Sequence, residues 1–252
     1  MEVLSVKNIS KSIDNKQIIN EVSFDISKGQ IVGLLGPNGA GKTTIFYSIL
    51  GLIKIDSGDV FLEEKNITTI PAHKRAEIGM SYLPQEPSIF RSLTVRSNIL
   101  GVAERNFLKN GDLLDFYKNT IKEFNLESVE NSKGYVLSGG QRRKVEIARC
   151  LASRPKLILL DEPFAGIDPL AIEDIKNVLK NLSDRGISIL ITDHNLRETI
   201  DICNYSIVIK DGSILDKGEK NYLINSSLIK EEYFGKVFDW WKHTIKKKFL
   251  KY

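Results

Sequence analysis

The segment from Gly36 to Thr44 constrains this chain most, because it places glycines and a lysine between a predicted strand and a predicted helix. It has the form G-x-x-x-x-G-K-[ST], it follows an apolar run at residues 31–35, and a helical pattern over residues 43–50 comes after it. The glycines let successive backbone N–H groups converge on phosphate oxygens, and the N-terminal end of the helix adds positive potential. The segment therefore predicts a nucleoside triphosphate site formed by Gly36, Pro37, Asn38, Gly39, Ala40, Gly41, Lys42, Thr43 and Thr44.

Two residues of this segment have roles that follow from their chemistry. The ammonium group of Lys42 is placed to reach the β- and γ-phosphates, and the hydroxyl of Thr43 is placed to bind Mg²⁺. The alternative is a chance lysine in a glycine-rich turn. The strand before the segment and the helix after it favour the phosphate site.

A second apolar run, at residues 157–160, ends in two carboxylates, Asp161 and Glu162. A strand that is apolar throughout is typical of the centre of a parallel sheet, and it delivers its last residues to the edge where ligands bind. We expect Asp161 to hold Mg²⁺ and Glu162 to orient and polarise an attacking water molecule.

A second candidate anion site lies about a hundred residues after the phosphate segment. It consists of Ser138, Gly139, Gly140 and Gln141, and the helical pattern of residues 142–153 follows it. A hydroxyl and two glycines at the start of a helix favour anions for the same physical reason as before. Two phosphate sites with a single phosphate loop suggest that the second site serves the nucleotide of another subunit.

In this order along the chain, these motifs resemble those of the ATP-binding subunits of ABC transporters, from residue 4 to about residue 235. The resemblance implies that Gln85 contacts Mg²⁺ and water, that Asp168 lies in the loop crossing between subunits, and that His194 contacts the γ-phosphate. It also implies a homodimer that closes head-to-tail on two ATP molecules, each between one phosphate loop and residues 138–141 of the other subunit. The catalytic residues of this ATPase are then Lys42, Glu162 and His194, and its ligands are ATP and Mg²⁺.

One position departs from the family pattern. The aromatic residue that usually stacks on adenine corresponds to Ile13, which offers apolar contact without ring stacking. We therefore expect ATP to bind with less discrimination of the base.

The patterns along the chain favour an α/β fold of the phosphate-loop NTPase type, as in ABC ATPases, with a mixed sheet flanked by helices. An antiparallel edge layer is predicted from the alternation over residues 1 to about 30, and a helical insertion from about 88 to 154 carries Ser138. Core strands are predicted at 31–35, 80–83, 157–160, 187–191 and 205–210, and Asp211-Gly212 predicts a tight hairpin. We expect one ATPase domain over residues 1–235 and a basic tail over residues 236–252.

Length and composition agree with one sizeable core, since the chain has 252 residues of which 42% are apolar. No run approaches the roughly 18 consecutive apolar residues of a membrane-spanning helix, and no targeting segment is recognised before the first strand. The two cysteines have no metal-binding spacing, as is typical of a reduced cytosolic protein. We expect a cytoplasmic protein, peripheral on the inner membrane, that works with two transmembrane permease subunits formed by other polypeptides.

The segments 78–91, 162–169 and 192–199 resemble one branch of the family, the ATPases of lipopolysaccharide export transporters. In that branch a homodimer drives two membrane subunits that extract lipopolysaccharide from the inner membrane. The ATPases of branched-chain amino acid importers are similar across the core and are the alternative.

In either branch the segment after Gln85 is expected to face a membrane subunit. Phe90, Arg91 and Leu93 would then line a groove for a short cytoplasmic helix of that subunit. The alternative for Phe90 is an ordinary core position within the helical insertion.

The tail combines six lysines with a stripe of aromatic and aliphatic residues over residues 236–252. Such a pattern is typical of an interfacial helix on anionic lipid. It is also compatible with a helix docked on its own domain or on the sister subunit, and with a lysine-rich frayed end. Contact with anionic lipid through the tail is therefore one prediction among these.

ABC ATPases that act in DNA repair, chromosome organisation or translation form a remote alternative. The first two kinds separate the phosphate loop from the Ser-Gly-Gly-Gln element by long coiled coils, and the third carries two cassettes in one chain. Neither feature occurs between Lys42 and Ser138 or elsewhere in this sequence, so no nucleic-acid partner is expected.

Overall fold

The computed structural model describes residues 1–106, 110–194 and 196–229. Its first layer is an antiparallel sheet with the strand order β2-β1-β4-β5. The turn between the first two strands uses Asp14 and Asn15, both with positive φ, as a two-residue hairpin of the primed type requires. The strands of this layer are β1 (Glu2–Ile13), β2 (Lys16–Ser27), β4 (Ser57–Leu62) and β5 (Lys65–Asn66).

The second layer is a six-stranded mixed sheet with the order β10-β9-β3-β8-β7-β6. Its first five strands along the chain pair in parallel, and β10 returns antiparallel to β9 after the turn Asp211-Gly212. The strands are β3 (Ile31–Leu35), β6 (Met80–Leu83), β7 (Leu157–Asp161), β8 (Ser188–Thr192), β9 (Tyr205–Lys210) and β10 (Ser213–Gly218). The predicted phosphate-loop NTPase architecture is confirmed.

One predicted strand is displaced by a residue, since β8 begins at Ser188 and not at residue 187. Gly186 adopts a φ of 87°, and the N–H of Ile187 still donates to the carbonyl of Leu182 at the end of the preceding helix. Ile187 therefore belongs to the helix-closing turn. The strands β4 and β5 and the short helix α2 (Ala72–Glu77) were not predicted, because segments of two to six residues carry little periodic signal.

Helices cover both faces of the mixed sheet. The phosphate segment leads into α1 (Lys42–Leu50), which lies with β1, β2 and one face of β3 in a core between the two sheets. The helices over residues 88–154 share a second core with the opposite face of the sheet. The helices of that segment are α3 (Val95–Ala103), α4 (Asn110–Glu123) and α5 (Gly139–Ala152), with 3₁₀ turns at Glu127–Val129 and Gly134–Val136. The remaining helices are α6 (Pro169–Asp184), α7 (Leu196–Ile202), α8 (Lys220–Asn225) and α9 (Ser227–Ile229).

This topology brings the predicted site residues to one edge of the sheet. The carboxyl ends of parallel strands share an edge, so Gly36 after β3, Gln85 after β6, Asp161 at the end of β7 and His194 after β8 all lie there. The predicted tail at residues 236–252 lies outside the described residues. Within the described ranges, no helix is both long enough and apolar enough to cross a membrane.

Candidate functional site

The phosphate loop is shaped by glycines that no other residue can replace. Gly36 has a φ of 152°, and a Cβ atom there would lie 2.2 Å from the carbonyl oxygen of Ile209. Gly41 has a φ of 103°, and its Cβ would lie 2.6 Å from the carbonyl oxygen of Ile18. The loop therefore fits between the antiparallel layer and the β9–β10 hairpin, and the N–H of Gly212 donates to the carbonyl of Ala40 at 3.1 Å.

Lys42 folds back over this loop from the first residue of α1. Its Nζ donates to the carbonyl oxygens of Gly36 (2.7 Å) and Pro37 (2.9 Å). Burial lowers the pKa of Lys42, and the nearby carboxylates of Glu162 and Asp161 oppose that shift. The ammonium group thus lies at the mouth of the loop, close enough to both carboxylates to interact with them.

Asp161 ends β7 in register with Thr192 of β8. Its Oδ1 accepts a hydrogen bond of 2.6 Å from Thr192 Oγ1, and its Oδ2 lies 3.5 Å from the hydroxyl of Tyr82. Burial first, and then contact with Tyr47 and Asp161, raises the pKa of Tyr82, which keeps its hydroxyl protonated as a donor. The carboxylate is therefore held by its neighbours and retains lone pairs for a further ligand.

Two other predicted residues, Gln85 and His194, lie against one carboxylate oxygen of Glu162. The backbone of Glu162 adopts a φ of 46° and its N–H donates to the carbonyl of Thr192 at 2.7 Å, and its side chain has partners different from those of Asp161. Its Oε2 accepts from Gln85 Nε2 at 2.8 Å and lies 3.1 Å from His194 Nδ1. His194 is 61% exposed, so its ring is available to a ligand at this edge. Three residues from separate strand ends thus meet at one point.

Arg143 holds the backbone next to Glu162, and it was not identified from the sequence. It is buried on α5, and its guanidinium donates to the carbonyl oxygens of Pro84 (2.9 Å), Asp161 (2.9 Å) and Glu162 (3.3 Å). It therefore ties the glutamine segment to the end of β7. The available signal was a charged residue four positions before Ile147, on the apolar face of a predicted helix.

The second predicted anion site is the N-terminus of α5. Ser138 Oγ accepts from the N–H of Gln141 (3.2 Å) and Gln141 Oε1 accepts from the N–H of Ser138 (3.0 Å), which forms a capping box. A Cβ on Gly140 would lie 2.4 Å from the Cβ of Ala171, so only glycine lets α5 approach α6 this closely. Asp168 caps α6, accepting from the N–H of Ala171 at 3.0 Å. Residues 138–141 and Asp168 thus lie on two helix ends in contact.

Ile13 lies at the end of β1, opposite Lys16 across the hairpin, and is 41% exposed. Farther along the same hairpin, the carbonyl of Ile18 lies against Gly41 of the phosphate loop. The hairpin therefore adjoins the loop, with Ile13 accessible on it. Its contact with adenine remains a prediction.

The three predicted groove residues are exposed. Phe90 is 53% exposed and Leu93 43%, and Arg91 is also exposed, so Phe90 is not a core residue. The guanidinium of Arg149 lies 4.6 Å from the centre of the Phe90 ring. Beside them, a cavity of about 350 Å³ is lined by Leu50, Leu52, Ala72, Arg75, Ala76, Met80, Ser81, Tyr82, Pro84, Ser88, Val102, Glu146, Arg149, Cys150 and Ser153.

Comparisons with known proteins agree with this geometry. The family model described as ABC transporter matches residues 19–165. The chain is 44% identical to the lipopolysaccharide export system ATP-binding protein LptB of Haemophilus influenzae, over 94% of this chain and 99% of that protein. It is 43% identical to the protein of the same name from Escherichia coli K12, with the same coverage.

Solved structures of ATP-binding cassettes share the fold. The ADP conformation of MJ1267, an ATP-binding cassette of an ABC transporter, superposes with a TM-score of 0.83 at 30% identity, over 94% of this chain and 100% of that one. CbiO1 from Clostridium perfringens, part of the ABC transporter complex cbiONQ, gives a TM-score of 0.83 at 25% identity, over 92% and 94% of the two chains.

Proposed function

This chain belongs to the ABC transporter family as an ATP-binding, ATP-hydrolysing subunit, and on that premise we propose that it powers lipopolysaccharide export. One observation carries the proposal: the identity of 43–44% to proteins named as lipopolysaccharide export ATP-binding subunits extends over 94% of this chain and 98–99% of theirs. A relationship confined to the nucleotide-binding motifs would support only the family.

The proposed chemistry is attack of water on the γ-phosphorus of ATP, which breaks the bond to the β–γ bridging oxygen, releases ADP and inorganic phosphate, and passes a proton of the water to a base. Glu162 would orient and polarise that water, with Gln85 and His194 held against the same carboxylate oxygen at 2.8 and 3.1 Å. Lys42 would exchange its two loop carbonyls for phosphate oxygens and take up charge that develops on them. The barrier is lowered mainly by positioning and by electrostatic stabilisation, because phosphoryl transfer needs little covalent assistance.

A magnesium ion fits the donor set at this edge of the sheet. Mg²⁺ prefers oxygen ligands, and Asp161, Thr43 and Gln85 offer a carboxylate, a hydroxyl and an amide oxygen. Thr43 is exposed at the start of α1, and Asp161 keeps lone pairs beyond its bond from Thr192. When bound, the ion would neutralise charge on the phosphate oxygens.

The proposed assembly is a head-to-tail homodimer with two membrane permeases. In it, Ser138, Gly139, Gly140, Gln141 and Asp168 of each subunit would contact the ATP on the phosphate loop of the other. The exposure of Phe90 and Leu93 beside a cavity supports a groove that receives a helix of a permease. The chain would then lie on the cytoplasmic face of the inner membrane. Its basic tail would contact anionic lipid there or dock on its own domain or on the sister subunit.

The test is purification of the tagged full chain from detergent-solubilised membranes of its host, followed by identification of what comes with it. Two related membrane subunits with periplasmic domains and bound lipopolysaccharide are expected. Polytopic permeases with a soluble amino acid-binding protein would move the assignment to import. Recovery without any membrane subunit, from membranes that retain their other transporters, would contradict a role in transport.

A further inference from the structure

A buried lysine on α6, Lys176, belongs to none of the nucleotide-binding motifs. Lys176 is almost inaccessible to solvent, and its ammonium group is surrounded by three carboxylates. Glu198 forms the closest pair with it, Glu173 lies at 3.0 Å on the same helix, and Asp201 lies at 3.4 Å. Because two of the three carboxylates belong to α7, the lysine joins α6 to α7.

Helix α7 follows the site directly. It begins at Leu196, two residues after His194, and it packs on β3 opposite Gly33. A Cβ at Gly33 would lie 3.1 Å from Cys203 Sγ and 3.4 Å from Thr199 Cγ2. The absence of a side chain at Gly33 therefore allows the helix to pack closely on the strand. One side of α7 is thus set by the sheet, and the Lys176 cluster sets the side that faces α6.

Helix α6 also contacts the helix that begins at the second predicted anion site, α5. It begins after Asp168, and its first turn contacts the start of α5 through Ala171 and Gly140. Farther along, Lys144 of α5 pairs with Asp174 of α6 at 2.9 Å. Helix α6 is therefore fixed to the helix that begins at Ser138, and through Lys176 to the helix that follows His194.

We propose that Lys176 is a positioning residue for ATP hydrolysis, which holds α7, and with it His194, in place relative to α6 and the N-terminus of α5. The inference rests on the catalytic roles proposed above for Glu162 and His194. Lys176 itself touches neither of them, and it acts through the position of α7.

The charge of Lys176 is what the cluster requires. Burial opposes the charged form, yet the hydrogen bonds to Glu198 and Glu173 raise the pKa of Lys176 above its usual value. Without the ammonium group, Glu198 and Asp201 would lose their ion pairs with Lys176 and would face α6 as two like charges, and the contact between the helices would loosen. Lys220 pairs with Asp201 at 2.7 Å from α8 and would hold that end of α7 only.

The test replaces Lys176 by methionine, which keeps the length of the side chain and removes the charge. In the full chain, Lys176→Met is expected to lower kcat for ATP hydrolysis by about 10- to 100-fold, because small displacements of a positioned group cost that much. KM for ATP and ATP affinity are expected to change little, since the phosphate loop is untouched. Lys180→Met, one turn farther along the same face of α6 at a position that is exposed, is the matched control and should keep the activity of the wild type.

The outcomes separate this inference from the proposed function. A folded Lys176→Met protein with wild-type kcat, or an equal loss in Lys180→Met, would overturn the inference. A wild-type chain that hydrolyses no ATP would instead contradict the proposed function itself. If Lys176→Met does not fold, Glu198→Gln takes its place: a lower kcat at unchanged KM supports the positioning role, and an unchanged kcat overturns it.

Discussion

At the scale of single residues, the site depends on one carboxylate oxygen with two neighbours. Glu162 Oε2 accepts a hydrogen bond from the amide of Gln85 and lies beside the ring of His194, so the position of each side chain depends on the other two. The positive φ of Glu162 is the backbone cost of turning its side chain towards them while Asp161 keeps its own partner. At this edge of the sheet, the residue with that backbone conformation is the one that is proposed to handle water.

Replacing Glu162 by glutamine is expected to lower kcat by about 10²- to 10³-fold, because an amide cannot take up the charge or proton of an attacking water molecule. The shape persists, since the amide oxygen still accepts from Gln85. Binding of ATP, measured by equilibrium titration, should be retained. The exposed Glu64→Gln is the matched control, and hydrolysis by Glu162→Gln near the wild-type rate would remove Glu162 from the mechanism.

Ile13 predicts weak selection of the base. GTP is expected to be hydrolysed at a rate within about 100-fold of that of ATP, and Ile13→Tyr is expected to favour ATP by about 3- to 10-fold more, from ring stacking. Competition between the two nucleotides in steady-state assays measures this. Ile13→Leu should leave the ratio unchanged, and a wild-type preference of many hundred-fold would contradict the idea.

The sequence was sufficient to place residues that follow directly on a predicted core strand. Gln85, Glu162 and His194 each come just after a strand of the parallel sheet, so their position at one edge could be anticipated, while the roles expected of Gln85 and His194 came from the family resemblance. The contacts of Arg143 could not be anticipated, because besides Glu146 on the same helix they include the backbone carbonyls of Pro84, Asp161 and Glu162, which only the folded chain brings together. The signal for Arg143 in the sequence was a charged residue on the apolar face of a predicted helix.

At the scale of elements, α1 is held at both ends. Its N-terminus receives the phosphate loop, and at its C-terminal turn the guanidinium of Arg75 donates to the carbonyls of Ser48 (3.0 Å) and Ile49 (2.6 Å). A cation there also complements the negative end of the helix dipole. Burial lowers the pKa of Arg75 to about 10, and Gly51 leaves the room that its guanidinium needs.

Arg75→Met is expected to reduce the free energy of unfolding by about 3 kcal/mol, because buried carbonyls lose their donors. Urea unfolding of the full chain measures it. Lys74→Met, at the neighbouring position but half exposed, should change stability by less than about 0.5 kcal/mol. Equal effects of the two substitutions would show that the buried hydrogen bonds contribute little.

Elements were predictable where periodicity was long or burial complete. The core strands emerged as apolar runs because both of their faces are covered. The strands β4 and β5 did not, since a six-residue strand with a two-residue partner leaves too short a pattern. The place of β4 is fixed by its pairing with β1, and that of β5 by its pairing with β4.

At the scale of the whole molecule, the surface around Phe90 faces away from the core and towards a proposed membrane partner. Phe90→Ala is expected to lower co-purification of the membrane subunits at least about tenfold, since an exposed aromatic anchor contributes more than 1.4 kcal/mol to such interfaces. ATP binding by the isolated chain should persist.

Leu114→Ala, at an apolar position on α4 that is 43% exposed, is the control for that experiment and should leave the complex intact. Loss of ATP binding in Phe90→Ala would assign Phe90 to folding of the subunit, and unchanged co-purification would place the partner elsewhere on the surface.

The phosphate loop lies early in the sequence, yet several elements that surround it, β8, β9 and the β9–β10 hairpin, come more than 140 residues later. In the sheet, β3 lies between β8 and β9, and Gly212 in the last hairpin donates to Ala40. A chain still on the ribosome therefore lacks the walls of its nucleotide pocket until translation has passed that hairpin. Cellular ATP can stabilise finished chains and gives no such protection to truncated ones, so the ligand itself distinguishes complete from incomplete polypeptides.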